Sequence, residues 1–566
     1  MEADRMTIHE VFKRELARAQ PRGSRGKRRW IFVPHDQLHD GFGILVREKP
    51  QDLGIVLVES RWWAGRRPHH RQKLALVWAN QRHFALEQAR RGVAVRYEPT
   101  RRPLREKLRD FVEELGPLEM MEAAEREMRA DVAPLVGEGL LRVVPHEGWL
   151  TTKEDFARAR TRSPHWFMDA FYKAVRRRTG ILMHNGKPVG GQFSFDAENR
   201  KPWKGSPKPP IPPVFVPDAI TREVGEMIES DYARHPGTVD LGSLPATRED
   251  AERLWQWVKD EVLEHFGPYE DAMSRHSSGL FHSRLSSLIN VHRILPRAMV
   301  EEVAGMEIPL ASKEGFLRQV LGWREFVKHV HEATDGFREL PGGERPPVLS
   351  SPGDGGWNRW VGRSWDAGPE VDGVDGGAMP SLLEADEPLP PTFWGAPSGM
   401  ACLDTVVGDV WREAWSHHIT RLMILSNIAT LLGVSPRELT DWFWVAYADA
   451  WDWVVEPNVL GMGTFALGEV MTTKPYVSGA AYVSKMSDYC ETCAFDPKKD
   501  CPLASLYWAF LDRNRKHLEG NVRVAMPMRS LAKRSAEKLA QDRAVRSQVL
   551  EKLRAGAVVT PDDLRE

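Results

Sequence analysis

The sequence predicts a two-part molecule: an α/β half with a Rossmann-like parallel sheet, followed by a half built almost wholly of helices. Three observations predict it. Between residues 29 and 150, short apolar runs alternate with helical patterns; from about residue 215 the strand signals nearly stop; and three of the four cysteines crowd into one late segment. A chain of 566 residues is long enough for more than one domain, and 42% apolar content is enough for a large core.

The elements follow in order. Residues 1–28 form a strongly basic N-terminal extension (KRELARAQPRGSRGKRR over 13–29). WIFV (30–33) and GIVLVES (54–60) read as buried strands, and KLALVWANQRHFALEQARRG (73–92) as an amphipathic helix ending at Gly92. VAVRYEP (93–99), the MEAAE region and LRVVPHE (141–147) continue the rhythm, which implies a parallel sheet with helices on both faces. No G-x-G-x-x-G follows the first strand, so a dinucleotide is not expected in this half. Residues 151–214 read as an interdomain linker. The helical half, 215–530, is carried by TREDAERLWQWVKDEVLEHF (247–266), EGFLRQVLGWREFVKHVHEA (314–333) and VWREAWSHHITRLMILSNIATLLG (410–433). A Gly/Pro/acid-rich stretch, 341–393, reads as a mobile surface insertion, and 531–566 as an exposed terminal helix and tail.

Formal charge is −1, so no global polybasic character announces nucleic acid, although the basic extension, RRPLRE near 101 and RRR at 176–178 are local positive runs. No apolar stretch approaches the ~20 residues that span a bilayer. No secretory leader is read, and a cytoplasmic location is expected. Tryptophan is frequent, at 21 residues; it suits packing, ring stacking or electron movement. Cys490, Cys493 and Cys501 form C-x2-C-x7-C, with Cys402 far upstream. Reduced thiols at this spacing suit a soft metal, either tetrahedral zinc or an iron–sulfur cluster taking one cysteine from elsewhere.

Six ordered phrases resemble the photolyase/cryptochrome superfamily, and most closely its bacterial iron–sulfur branch, the prokaryotic (6-4) photolyases and their cryptochrome-like relatives. They are RRRTGILM…GKPVGG…FSFDAENRKP (176–202), HSRLSSLIN (282–290), EGFLRQVLGWREF (314–326), HHITRLMI (417–424), YADAWDWVVEPNVLGM (447–462) and MSDYCETC…CP…LYW (486–508). The resemblance covers about residues 30–530. It implies an N-terminal antenna-binding domain, a helical domain holding FAD, and a [4Fe–4S] cluster on Cys402, Cys490, Cys493 and Cys501.

The resemblance also implies roles for single residues. Ser283, Leu285 and Ser286 match the turn that contacts the FAD diphosphate, where hydroxyls and amides suit anionic oxygens. Gln319, Trp323 and Arg324, on one helical face by i, i+4 spacing, match a surface between flavin and DNA. Arg421 and Asp449 match the charged pair beside the isoalloxazine. His417 and His418 match the lesion-facing position, where an imidazolium donates the proton that (6-4) reversal needs; His418 is taken as the nearer donor. Trp442 and Trp394 match the electron-transfer aromatics. Asp36, Gln37, His69 and His70 match the segments that hold 6,7-dimethyl-8-ribityllumazine as antenna.

Three departures stand out. Phe443 replaces a tyrosine of the relatives, so the hop there must pass to Trp442, Trp444 or another neighbour. Val455 replaces a glutamate near the flavin, with Glu456 adjacent. Trp63 stands where a carboxylate would bond the antenna, and Trp62–Trp63 either stack a different ring, fill the pocket or pack. The expected function is a light-dependent lyase acting on UV-damaged DNA as a monomer; the alternative is a cryptochrome-like blue-light photoreceptor.

Overall fold

Leu53–Ser60 is buried over all but its last residue. That is the pattern of a strand covered on both faces, as a parallel sheet requires. In the computed structural model, which describes residues 10–21, 28–158, 165–352, 357, 365, 368 and 370–565, it is the second of five parallel strands: β1 (Arg29–Phe32), β2 (Leu53–Ser60), β3 (Ala94–Thr100), β4 (Leu118–Met121) and β5 (Leu141–Val144). Their order is β3-β2-β1-β4-β5, with Ile31 opposite both Ile55 and Glu119. The order reverses at β1, and the loop after this strand carries His35, Asp36 and Gln37. In such sheets a crevice opens at that switch point.

Helix Arg71–Arg91 departs from the amphipathic expectation. Gly92 ends it in the left-handed region (φ 100°), as its position suggested, but the helix is buried on nearly every side, Lys73, Asn80 and Arg82 included. Its polar residues face protein because it lies between the sheet and the helical half. Arg82 pairs with Glu59 (2.9 Å) and Glu223 (3.3 Å), and Tyr97 donates to Glu59 (2.8 Å). The basic extension also needs correction. Glu10–Ala19 is a helix whose Phe12 and Leu16 are buried, and Glu223 accepts the amides of Val11 and Phe12. Residues 1–9 and 22–27 of the extension lie outside the described residues.

In the helical half, three of the expected long helices are interrupted. Residues 248–266 pass from α-helix to a π turn (Val258–Val262) and back; 310–333 do the same around Arg318–Arg324. The run at 410–433 breaks outright: helix Ala401–Glu413 ends at Ala414 (φ 50°), and a new helical stretch begins at His418. The insertion is corrected for its described residues. Trp357 is 1% exposed, Val371, Val374 and Ala378 are buried, and Val348–Leu349 pairs antiparallel with Gly377–Ala378. A Cβ on Gly377 would sit 2.4 Å from Arg437, so glycine is required where this segment meets the buried Arg437–Glu456 pair. The rest of the insertion lies outside the described residues. The C-terminal helix, Ala536–Arg554, is likewise no exposed tail, because Val545, Val549, Leu550 and Leu553 are buried in the core shared with helix Pro502–Arg513. Among the described residues no helix is long and apolar enough to cross a membrane.

The two halves are joined through polar contacts as well as packing. Asp452 caps helix Arg126–Gly137 by accepting the amides of Arg126 (2.6 Å) and Glu127 (3.2 Å). The amide of His70 donates to Val445 (2.8 Å), and Arg293 holds Glu87 with two bonds. This interface frames the sites described next.

Candidate functional site

The four cysteines meet. Cys402 starts helix Ala401–Glu413, Cys490 and Cys493 lie in the turn after helix Ala480–Met486, and Cys501 precedes helix Pro502–Arg513. All four line one cavity with Met400, Val483, Tyr489, Phe495 and Leu503. Burial and the neighbouring sulfurs push Cys402 well up and Cys501 to about 12, so these groups stay thiols unless a cation joins them. Among the described residues no three His, Cys, Asp or Glu side chains are grouped as a single metal ion would require.

Arg421 and Asp449 form a two-bonded ion pair (3.0 and 2.9 Å). The Arg421 guanidinium also lies over the Tyr447 ring (4.1 Å) and donates to the Ser416 carbonyl (2.8 Å). Burial alone would lower the Arg421 pKa; the Asp449 charge more than offsets it. Arg421 opens a π segment, Arg421–Ser426, just as Arg318–Arg324 carries Gln319, Trp323 and Arg324. π turns inside helices recur at functional sites, because the widened turn redirects side chains.

The break at Ala414 places both histidines at the head of a helical stretch, and brings a third to them. His282 stacks on His417 (4.2 Å between centroids, planes 8° apart) and meets His418 edge-on (5.3 Å). The sequence reading missed His282, which sits inside a recognised phrase, because only tertiary contact shows it beside the pair. All three are held neutral. Burial and the neighbouring positive charge of Arg318 and Arg421 bring His418 to about 4, and His417 and His282 lie well below their ordinary value. The expected imidazolium is therefore not the resting state. Arg318 near His418 is tied to Asp196 (3.1 Å) and Glu270 (3.3 Å), and Gln319 donates to Glu270 (2.6 Å).

Gln319, Trp323 and Arg324 do not present one surface. Gln319 faces Glu270 on the histidine side, Trp323 packs on Phe326, and Arg324 turns inward over Trp149 (4.1 Å) and Trp453 (5.5 Å). Leu285 is fully buried in a separate core, while Ser283 and Ser286 remain partly exposed beside it. Val455 is a core residue, and Glu456 does not stand in for a flavin-side carboxylate. Its hydrogen bond from His331 (2.9 Å) and the Arg437 charge (2.8 Å) overcome burial and bring it to about 2.

The aromatic residues form a line. Trp394 meets Trp411 (5.0 Å), Trp411 meets Trp442 (6.1 Å), and Trp442 meets Tyr447 (5.9 Å) beneath Arg421. Tyr447 also stacks on Phe443 (5.2 Å), so a phenol lies next to the position from which one was missing. Trp411 was not singled out from sequence; among 21 tryptophans nothing local marks it.

The antenna candidates divide. Asp36 is fully buried and raised to about 6 by that burial, and Gln37 donates to the Met121 and Glu122 carbonyls. His69 stacks on Trp63 (4.7 Å), which also stacks on Trp451 (5.6 Å), with His35 against both rings. Trp63 is thus packed among the chain's own rings. Lys73 lies beside them (4.7 Å from Trp451), and burial lowers it to about 7. His70 turns away: its Nδ1 accepts the Gln72 amide, its Nε2 donates to the Trp411 carbonyl (3.1 Å), and its ring stacks on Trp411.

Known proteins match this architecture. The family described as deoxyribodipyrimidine photo-lyase-related protein matches residues 31–243. A protein of Agrobacterium fabrum named (6-4) photolyase is 34% identical over 532 residues, 90% of this chain and 96% of that one. A bacterial class III photolyase structure from Agrobacterium tumefaciens superposes with a TM-score of 0.52 at 14% identity, over 94% of this chain and 99% of the other, a likeness of fold. The parallel sheet and the helical half therefore have the architecture the sequence predicted, and the chain belongs to the photolyase/cryptochrome superfamily, in the family of the Agrobacterium (6-4) photolyase.

Proposed function

We propose that this protein is a light-dependent lyase that reverts (6-4) pyrimidine–pyrimidone photoproducts in UV-damaged DNA, working as a cytoplasmic monomer. The observation that carries the reading is the chamber in which His417, His418 and His282 adjoin the Arg421–Asp449 pair within a chain whose relative of matching length is a (6-4) photolyase. Among the described residues His282 Nε2 and His417 Nδ1 are buried without hydrogen-bond partners, which fits a chamber that receives polar groups of a cofactor or a base.

FAD, when bound, supplies the light-driven electron. Arg421 would hold it, with the Ser283–Ser286 turn offering hydroxyls to its phosphates; a fixed guanidinium favours negative charge on the ring system. The lesion must leave the helix stack to reach the chamber. His418 then controls the proton. Arg318 and Arg421 hold it neutral now; an anion entering the chamber offsets them, raises its pKa and readies it to protonate the leaving hydroxyl or amino group. His417, pinned by stacking on His282, orients its neighbour.

The four thiols suit a [4Fe–4S] cluster, since they ring a cavity and need a cation to become thiolates. For the lumazine antenna, Asp36 Oδ1, His69 Nε2 and Trp451 Nε1 are buried and unpartnered among the described residues, a polar set that a heteroaromatic ring can satisfy. Phe443 and Val455 favour a second reading, a blue-light photoreceptor that keeps the electron chemistry without repair. Incubation of the flavin-reduced protein with a (6-4)-containing oligonucleotide, in blue light and in darkness, separates them: light-dependent restoration supports the lyase, and photoreduction without repair supports the receptor.

A further inference from the structure

Trp394 is partly exposed and Trp442 fully buried, and among the described residues the ring that touches both is Trp411. One carbonyl, that of Phe393, accepts the indole N–H of Trp411 (2.9 Å) and of Trp442 (2.8 Å), fixing the two rings relative to each other. We propose that Trp411 is the electron carrier between Trp394 and Trp442, completing a surface-to-chamber line in this chain. The inference rests on the flavin reading above.

Local charge decides among the alternatives. Trp444 lies under the Arg67 guanidinium at 3.7 Å, which opposes positive charge on that ring. Tyr447 lies under Arg421 at 4.1 Å, and its hydroxyl faces only the Ser416 hydroxyl (2.8 Å), a poor base for the proton a phenol must release on oxidation. Trp411 is flanked instead by Trp394 and by His70, whose Nδ1 accepts and Nε2 donates, the pattern of an uncharged ring. Burial brings His70 to about 4, in keeping with that tautomer.

The step balances. Trp442 gives one electron to the light-excited flavin; Trp411 refills Trp442, and Trp394 refills Trp411. No bond breaks, and the indole protons of Trp442 and Trp411 stay in place because a carbonyl is too weak a base to take them. A thiol reductant in solvent restores Trp394, two thiols yielding one disulfide and two protons for every two electrons.

The test uses flavin-loaded protein in blue light with dithiothreitol. Trp411→Phe should retain flavin, lose the long-lived tryptophan radical seen by transient absorption, lose photoreduction, and still repair at the parental rate after dithionite reduction. If that variant releases flavin, Trp411→Tyr keeps a ring in place and should show the same loss of radical. Either variant holding full flavin with parental radical lifetime and photoreduction overturns the assignment. A parental protein that holds no flavin overturns the reading beneath it instead.

Discussion

The cysteine cavity and the histidine–arginine chamber share the helical half, yet they are built in opposite ways. The cavity gathers four sulfurs and is lined by no lysine or arginine, so its thiols are pushed up by burial and by each other. In the chamber, charge is matched before any ligand arrives: Arg421 with Asp449, Arg318 with Asp196 and Glu270. The difference teaches where each site draws its stability. The cavity gains it from what it binds, and the chamber spends the fold's own ion pairs to be ready.

The largest effect should come from breaking the cavity. Cys490→Ala or Cys402→Ala should lose iron and, with it, the tie between helix Ala401–Glu413 and the segment around 490–501; iron content and soluble yield read this directly. Protein prepared without oxygen that holds stoichiometric zinc and no iron contradicts the cluster. In the chamber, His418→Ala should lower repair by about 10²-fold or more, the usual worth of a positioned proton donor, with flavin content unchanged. Parental repair by this variant would remove the proposed donor.

A smaller effect separates readiness from chemistry. Asp449→Asn leaves Arg421 buried without its counter-charge and should cost about 3–5 kcal/mol of stability, measured by denaturant unfolding of flavin-free protein. The same change in Cys501 should cost flavin-free, iron-free protein far less.

The smallest effect concerns acid. His70, His235 and His418 are each brought to about 4, whereas an unfolded histidine takes up its proton near 6.5. The unfolded chain thus binds more protons between those values. Stability should fall as pH drops below about 6.5, by up to about 1.4 kcal/mol per pH unit for each histidine, and level off near 4. A melting temperature that is flat from pH 7 to 5 contradicts this picture of neutral buried rings.

What the sequence revealed follows the same division. The strands were legible because a run such as Leu53–Ser60 announces itself without reference to the rest of the chain, and the cysteines because their spacing is local. His282, Trp411 and the burial of Arg82 were not legible, since each acquires meaning only from a partner far along the chain: His417, Trp394 with Trp442, and Glu223. The break at Ala414 was hidden too. Nothing in VWREAWSHHITRLMI interrupts a helical pattern, and a left-handed alanine is set by tertiary packing. In the same way, the docked helix Glu10–Ala19 is held by Glu223, more than 200 residues away.

The most direct test of the central claim is lesion reversal itself. Flavin-reduced protein, given one oligonucleotide with a (6-4) photoproduct and another with a cyclobutane dimer, is illuminated with blue light, and both products are counted. The account predicts light-dependent restoration of the (6-4) site, no restoration in darkness, and an untouched cyclobutane dimer, because only the first chemistry calls on the proton that His418 is placed to give. Reversal of the cyclobutane dimer alone, or of neither lesion by protein that holds reduced flavin, would contradict it.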